Sequence, residues 1–142
     1  MVKTMALLQA AFSHYGFAEN FDGDRDGYFR RVVTQRRVAG PILITHTKND
    51  RAVGLAYPLA SRLSGDDAAA IGDENDRFGG IGRNGAQKTP ETITGDLQNE
   101  SGSYSFEAGS LYNLKADRFI ADHGDVRNTA VANLILSGIA SV

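Results

Sequence analysis

Apolar runs alternate along the chain with polar, glycine-rich stretches, and their order predicts the elements. Thr4 to Phe12 is a short apolar run without helix caps. It reads as a buried strand, with the start of a buried helix as the alternative. The stretch Asn20-Phe21-Asp22-Gly23-Asp24-Arg25-Asp26-Gly27 is dense in turn formers and marks a surface loop. Tyr28 to Val38 mixes arginines with apolar positions and predicts a short amphipathic helix. After Gly40-Pro41, the residues Ile42-Leu43-Ile44-Thr45 are apolar or β-branched at consecutive positions, as in a parallel strand covered on both faces. Leu55 to Leu63 predicts a helix with Pro58 in its first turn, ended by Gly65-Asp66-Asp67.

Gly72 to Ser103 holds few large apolar residues and no sustained period, so it reads as a long irregular insertion. A loop of that length in a compact domain is functional, disordered or a misread element. Tyr104-Ser105-Phe106 and Leu111 to Ile120 predict two short strands, the second ending just before Asp122-His123-Gly124-Asp125. Asn128 or Thr129 caps a final helix, because Val131, Leu134, Ile135 and Ile139 recur at helical spacing. The resulting order (strand, helix, strand, helix, loop, strand, helix) predicts an α/β fold with a mostly parallel sheet flanked by helices.

Composition narrows this. A chain of 142 residues, 42% hydrophobic and 23% charged, fits one domain spanning residues 1–142. The length buries a core but falls short of a complete doubly wound enzyme, so the domain is expected to be incomplete. A net charge of −2 and a pI near 5.9 provide no field that favours nucleic acid or an anionic membrane. Cysteine is absent, which removes disulfides, thiolate nucleophiles and thiolate metal sites together. The N-terminal apolar run is too short for a membrane span and lacks a signal-peptide plan; a cytoplasmic chain is expected.

In open α/β sheets the chemistry sits in loops just past the strand C-termini, which singles out two segments. His46-Thr47-Lys48-Asn49-Asp50-Arg51 follows the strongest strand, and Asp122-His123-Gly124-Asp125 follows the last. Asp50 and His123 on such loops meet at one edge of the sheet. A carboxylate accepting from one ring nitrogen fixes the tautomer, so the other nitrogen can take a proton from a serine hydroxyl. Histidine's ordinary pKa of about 6.5 suits a base working near neutrality. Asp122 and Asp125 flank the ring, but neighbours on a tight loop more often cap the next helix or face water. His14 and His46 read as structural.

Pro41 to Val53 resembles the segment of bacterial α/β-hydrolases in which the seventh strand leads into the acid loop, and Arg118 to Val126 resembles the end of the eighth strand and the histidine loop. Met5 to Ser13 is similar to the sixth strand, and the order acid then histidine matches the family's. The resemblance implies the C-terminal half of an α/β-hydrolase-like three-layer sandwich. It implies a serine hydrolase of the esterase, lipase or peptidase type, with Asp50 and His123 as catalytic residues and a small-molecule ester or amide as substrate. It implies no cofactor and no metal. The family's nucleophile sits in a Gly-x-Ser-x-Gly elbow, and no such motif occurs in the chain. Alone, the chain is therefore expected to be inactive, completed by a missing half or a partner chain, or self-associating at an open sheet edge. The alternative is a non-catalytic α/β binding or scaffold module.

Three further patterns mislead. Gly80-Ile81-Gly82-Arg83-Asn84-Gly85 has the letters of a dinucleotide fingerprint without a strand just before it or a helix opening within it. Asp22, Asp24 and Asp26 start like a calcium loop, but its twelfth position is Val33 rather than glutamate. Arg30-Arg31 and Arg36-Arg37 read as a solvated helix face.

Overall fold

A computed structural model describes residues 2–56 and 78–142. Among the described residues there are four strands, β1 (Met5–Leu8), β2 (Ile42–His46), β3 (Thr92–Asp96) and β4 (Leu111–Lys115). They form one sheet in the order β1-β2-β4-β3, parallel at every pairing. The helices are α1 (Arg30–Thr34), α2 (Ile81–Asn84) and α3 (Thr129–Ala140), with a π-helical turn at Ala52–Ala56.

The two faces of the sheet explain the consecutive apolar residues of β2. Ile42 and Ile44 pack with Val33 of α1, Ile81 of α2 and Leu111 of β4 on one face. Leu43 packs with Leu114 of β4 and with Ala130, Val131 and Leu134 of α3 on the other. The arrangement is therefore helix, sheet, helix. Each such fully buried aliphatic side chain contributes about 1.5–3 kcal/mol of transfer free energy.

Asn128 caps α3, its side chain accepting from Val131 N at 3.0 Å, which stabilises the helix by about 1 kcal/mol. Its amide also donates to Phe119 O (2.9 Å) and Asp125 O (3.1 Å), tying the loop before α3 back on itself.

Several expected elements differ. The helix over Tyr28–Val38 is confined to Arg30–Thr34, because Arg36 adopts a left-handed backbone with φ of 46° and the chain leaves the helix there. Arg30 does not face solvent with Arg31, Arg36 and Arg37. It is buried, and its two terminal nitrogens each meet a Glu91 oxygen at 2.6 Å, with Glu19 at 3.6 Å. The Glu91 hydrogen bond outweighs burial and raises the Arg30 pKa, and the same bond holds the Glu91 carboxyl below its usual range.

The insertion at 72–103 is not irregular throughout, since it holds α2 and β3. Thr92, Ile93 and Thr94 are β-branched and pair with β4, but β3 lies at the sheet edge and is largely exposed, so no buried run announces it. Tyr104 to Phe106 is not a strand; the rings of Tyr104 and Phe106 stack at 5.0 Å against the core on the α3 face. The strand expected over Leu111–Ile120 ends at Lys115, where Phe119 N and Ile120 N turn back onto Ala116 O. The helix expected over Leu55–Leu63, with its end at Gly65-Asp66-Asp67, lies mostly outside the described residues.

Candidate active site

The chain leaves β2 at His46 and turns at once. Asp50 N donates to Thr47 O at 3.2 Å, and Asp50 Oδ1 accepts from Val53 N at 2.8 Å, capping the π-helical turn. Aspartate suits that place because its oxygen satisfies a buried amide. With Oδ1 occupied, Oδ2 is left for another donor. That donor is the ring of His123, whose Nδ1 lies 2.9 Å away. A carboxylate only accepts, so the proton between them sits on Nδ1, and Nε2 is the lone-pair nitrogen of the neutral ring.

The burial of the two groups is unequal. Asp50 is fully buried, whereas the His123 side chain is 47% exposed. A buried acceptor thus backs a half-exposed ring. The structure brings together the two residues singled out in the sequence, 73 positions apart. His123 stands beyond a loop, eight residues after the end of β4, rather than directly at a strand end.

The flanking acids do not compete for the ring. Asp122 Oδ1 accepts from Gly124 N at 2.8 Å and Asp125 Oδ2 from Ala121 N at 2.9 Å, so each caps its own loop. His14 is fully buried and its Nδ1 lies 3.1 Å from Asn84 Nδ2.

His46 lies beneath α2, and its Nε2 is buried without a hydrogen-bond partner. Burial lowers its pKa from the ordinary value. A bond to the Arg83 backbone and the charges of Asp117 and Asp96 pull the other way, and Lys115 adds to the lowering. A histidine held neutral in the folded state binds fewer protons than in the unfolded chain once the pH falls below about 6.5. Stability is thus complete above that pH and declines as the pH falls towards the folded-state pKa. His46→Asn, which keeps a donor near Arg83 O, is expected to flatten this decline in urea titrations between about pH 5 and 7. An unchanged slope would assign the decline to other groups.

Thr47, Asn49 and Asp117 also belong to the site and were not singled out in the sequence. The local signal for the first two is a Thr-x-Asn at a strand end, where Asn49 N donates to Thr47 Oγ1 at 3.1 Å. Asp117 carries no local signal.

A short helix does open within Gly80 to Gly85, contrary to expectation, but α2 has only four residues. Gly82 is there for close packing: a Cβ on it would stand 2.6 Å from the backbone carbon of Gln9. In the acidic loop, Asp22 pairs with Arg25 and Asp26 accepts from Asn20 N at 3.1 Å. Among the described residues no three His, Asp or Glu side chains are grouped to hold a metal ion, and no helix is long and apolar enough to cross a membrane.

Compared with known proteins, the chain matches no family model, no curated protein and no solved structure.

Proposed function

We propose that this chain is the acid-and-base segment of a serine hydrolase of the esterase, lipase or peptidase type, the C-terminal part of an α/β-hydrolase-like domain. One observation carries the reading: the buried Asp50 carboxylate holds Nδ1 of the half-exposed His123 at 2.9 Å, from loops that follow neighbouring parallel strands. In this role His123 Nε2 takes the proton of a serine hydroxyl as the oxygen attacks an ester or amide carbonyl. It then returns that proton to the leaving group, and water releases the acyl-enzyme. Asp50 keeps the tautomer and steadies the imidazolium.

The serine and the oxyanion donors come from another segment or chain, because the sequence holds no Gly-x-Ser-x-Gly. The open side of β1, which ends the sheet among the described strands and where Ala6 is exposed, is the place for that segment. The chain alone is expected to leave a fluorophosphonate probe unreacted at every serine and to turn over p-nitrophenyl esters no faster than free imidazole of equal concentration. Mass-spectrometric detection of a labelled serine in this chain would refute the external-nucleophile assignment.

A further inference from the structure

We infer that Asp117 is a positioning residue for the Asp50–His123 pair: its hydrogen bonds to Thr47 and Lys48, completed by Asn49, lock the acid loop to the histidine loop. The inference rests on the acid–base reading above.

Each loop is stiff within itself. On the acid side, Thr47 O, Asp50 Oδ1 and Asp50 O accept from Asp50 N, Val53 N and Gly54 N at 3.2, 2.8 and 3.0 Å, and Arg83 of α2 donates to Lys48 O. On the histidine side, Asp122 and Asp125 cap their own loop, and Asn128 ties Phe119 O to Asp125 O. Neither set of bonds fixes one loop against the other.

Four hydrogen bonds cross between them. Thr47 Oγ1 and Lys48 N donate to Asp117 Oδ1 at 2.9 and 3.0 Å. Asn49 Nδ2 donates to Asp117 O at 3.0 Å and to Ile120 O at 2.9 Å. Among the described residues these are the side-chain bonds joining the two loops besides the Asp50–His123 contact itself.

Asp117 is central to the seam because a single oxygen receives both a hydroxyl and an amide. Thr47 is fully buried, and its oxygen accepts from the Asn49 backbone amide while its proton goes to the Asp117 carboxylate, so the hydroxyl links the acid loop's backbone to Asp117. Burial alone would raise the Asp117 carboxyl. The Lys48 amide, the Thr47 hydroxyl and Lys115, 3.5 Å away, outweigh it and hold the group below the usual carboxylate range. The acceptor is thus charged, and charge-assisted bonds are roughly twice as strong as neutral ones.

The seam matters because reacting groups displaced by about 1 Å can lose on the order of 10²-fold in rate. His123 approaches Asp50 from a stretch without helix or strand, between β4 and α3, where the seam adds to the Ala116 N to His46 O bond and the packing of Ile120 in fixing its distance.

The test uses the full chain labelled with ¹⁵N-histidine. A proton held between Asp50 and His123 Nδ1 resonates far downfield of the amide envelope, and its loss in His123→Gln assigns it. Asp117→Ala and Thr47→Val are expected to abolish or broaden this resonance under conditions where the amide spectrum remains dispersed. Parent-like resonances in these variants would overturn the positioning role. If Asp117→Ala does not fold, the milder Thr47→Val decides by the same criterion. Absence of the resonance from the parent protein would instead sink the acid–base reading, which keeps the two failures apart.

Discussion

Under the proposed acid–base role, Asp50→Asn is expected to lower kcat about 10⁴-fold once a serine-bearing segment is supplied, while shifting the melting temperature of the chain little. Asparagine keeps an oxygen where Oδ1 accepts from Val53 N, so the cap on the π-helical turn survives. The other position, 2.9 Å from His123 Nδ1 in the parent, becomes an amide nitrogen that donates. The ring must then present its lone pair at Nδ1 and carry its proton on Nε2, where it cannot accept from serine. Asp50→Ala differs, since it leaves a buried amide unpaired at about 1–3 kcal/mol. Steady-state kinetics with a chromogenic ester, beside thermal melts of both variants, separate tautomer from fold. A loss of only a few-fold in Asp50→Asn would remove the aspartate from the catalytic role.

Leu43→Ala is expected to destabilise the fold by about 3–5 kcal/mol, the upper part of the range for buried leucines. Leu43 is fully buried at the centre of β2, paired with Ala6 and Tyr112. The helix above it packs directly on its side chain through Gly138. At Gly138 of α3 an added Cβ would lie 2.6 Å from Leu43 Cδ1 and 3.2 Å from Thr4 Cγ2. The cavity therefore has little scope to collapse.

The same geometry makes the sign of a second change conditional. Gly138→Ala alone overpacks, against a helix-propensity gain of about 1 kcal/mol, and is expected to be net destabilising. In the Leu43→Ala background the Cβ enters the vacated space and the change becomes stabilising. Urea denaturation of the four proteins should give a coupling on the order of 1–3 kcal/mol, and additive effects would contradict this packing.

Much of this arrangement was legible in the chain. Ile42-Leu43-Ile44-Thr45 identified β2 because burial on both faces demands apolar residues without alternation. The meeting of Asp50 and His123 follows from their places on loops after neighbouring parallel strands, although no local pattern links them. Asn128 announced the cap of α3.

What stayed hidden depends on distant partners. Asp117 is 70 residues from Thr47 and looks like any charged loop residue. Arg30 looks like a surface base within an arginine cluster, and only Glu91, 61 residues on, explains its burial. β3 lacked a buried face because it occupies an edge, where half-exposed threonines suffice.

The strand order bears on how the chain acquires its shape. β4 separates β2 from β3, yet it follows both in sequence, and among the described residues β3 has no other strand beside it. During synthesis β2 has β1 available on one side but waits for its second neighbour until 69 residues later, since Ile42 pairs with both Met5 and Leu111, and β3 stays without a partner until the same segment emerges. Contacts this far apart slow folding, because the chain between them must close as a loop before any pairing is gained. A ribosome-bound nascent chain stopped before Leu111 should therefore be fully protease-sensitive across β3, with protection there arriving only once β4 is free of the exit tunnel.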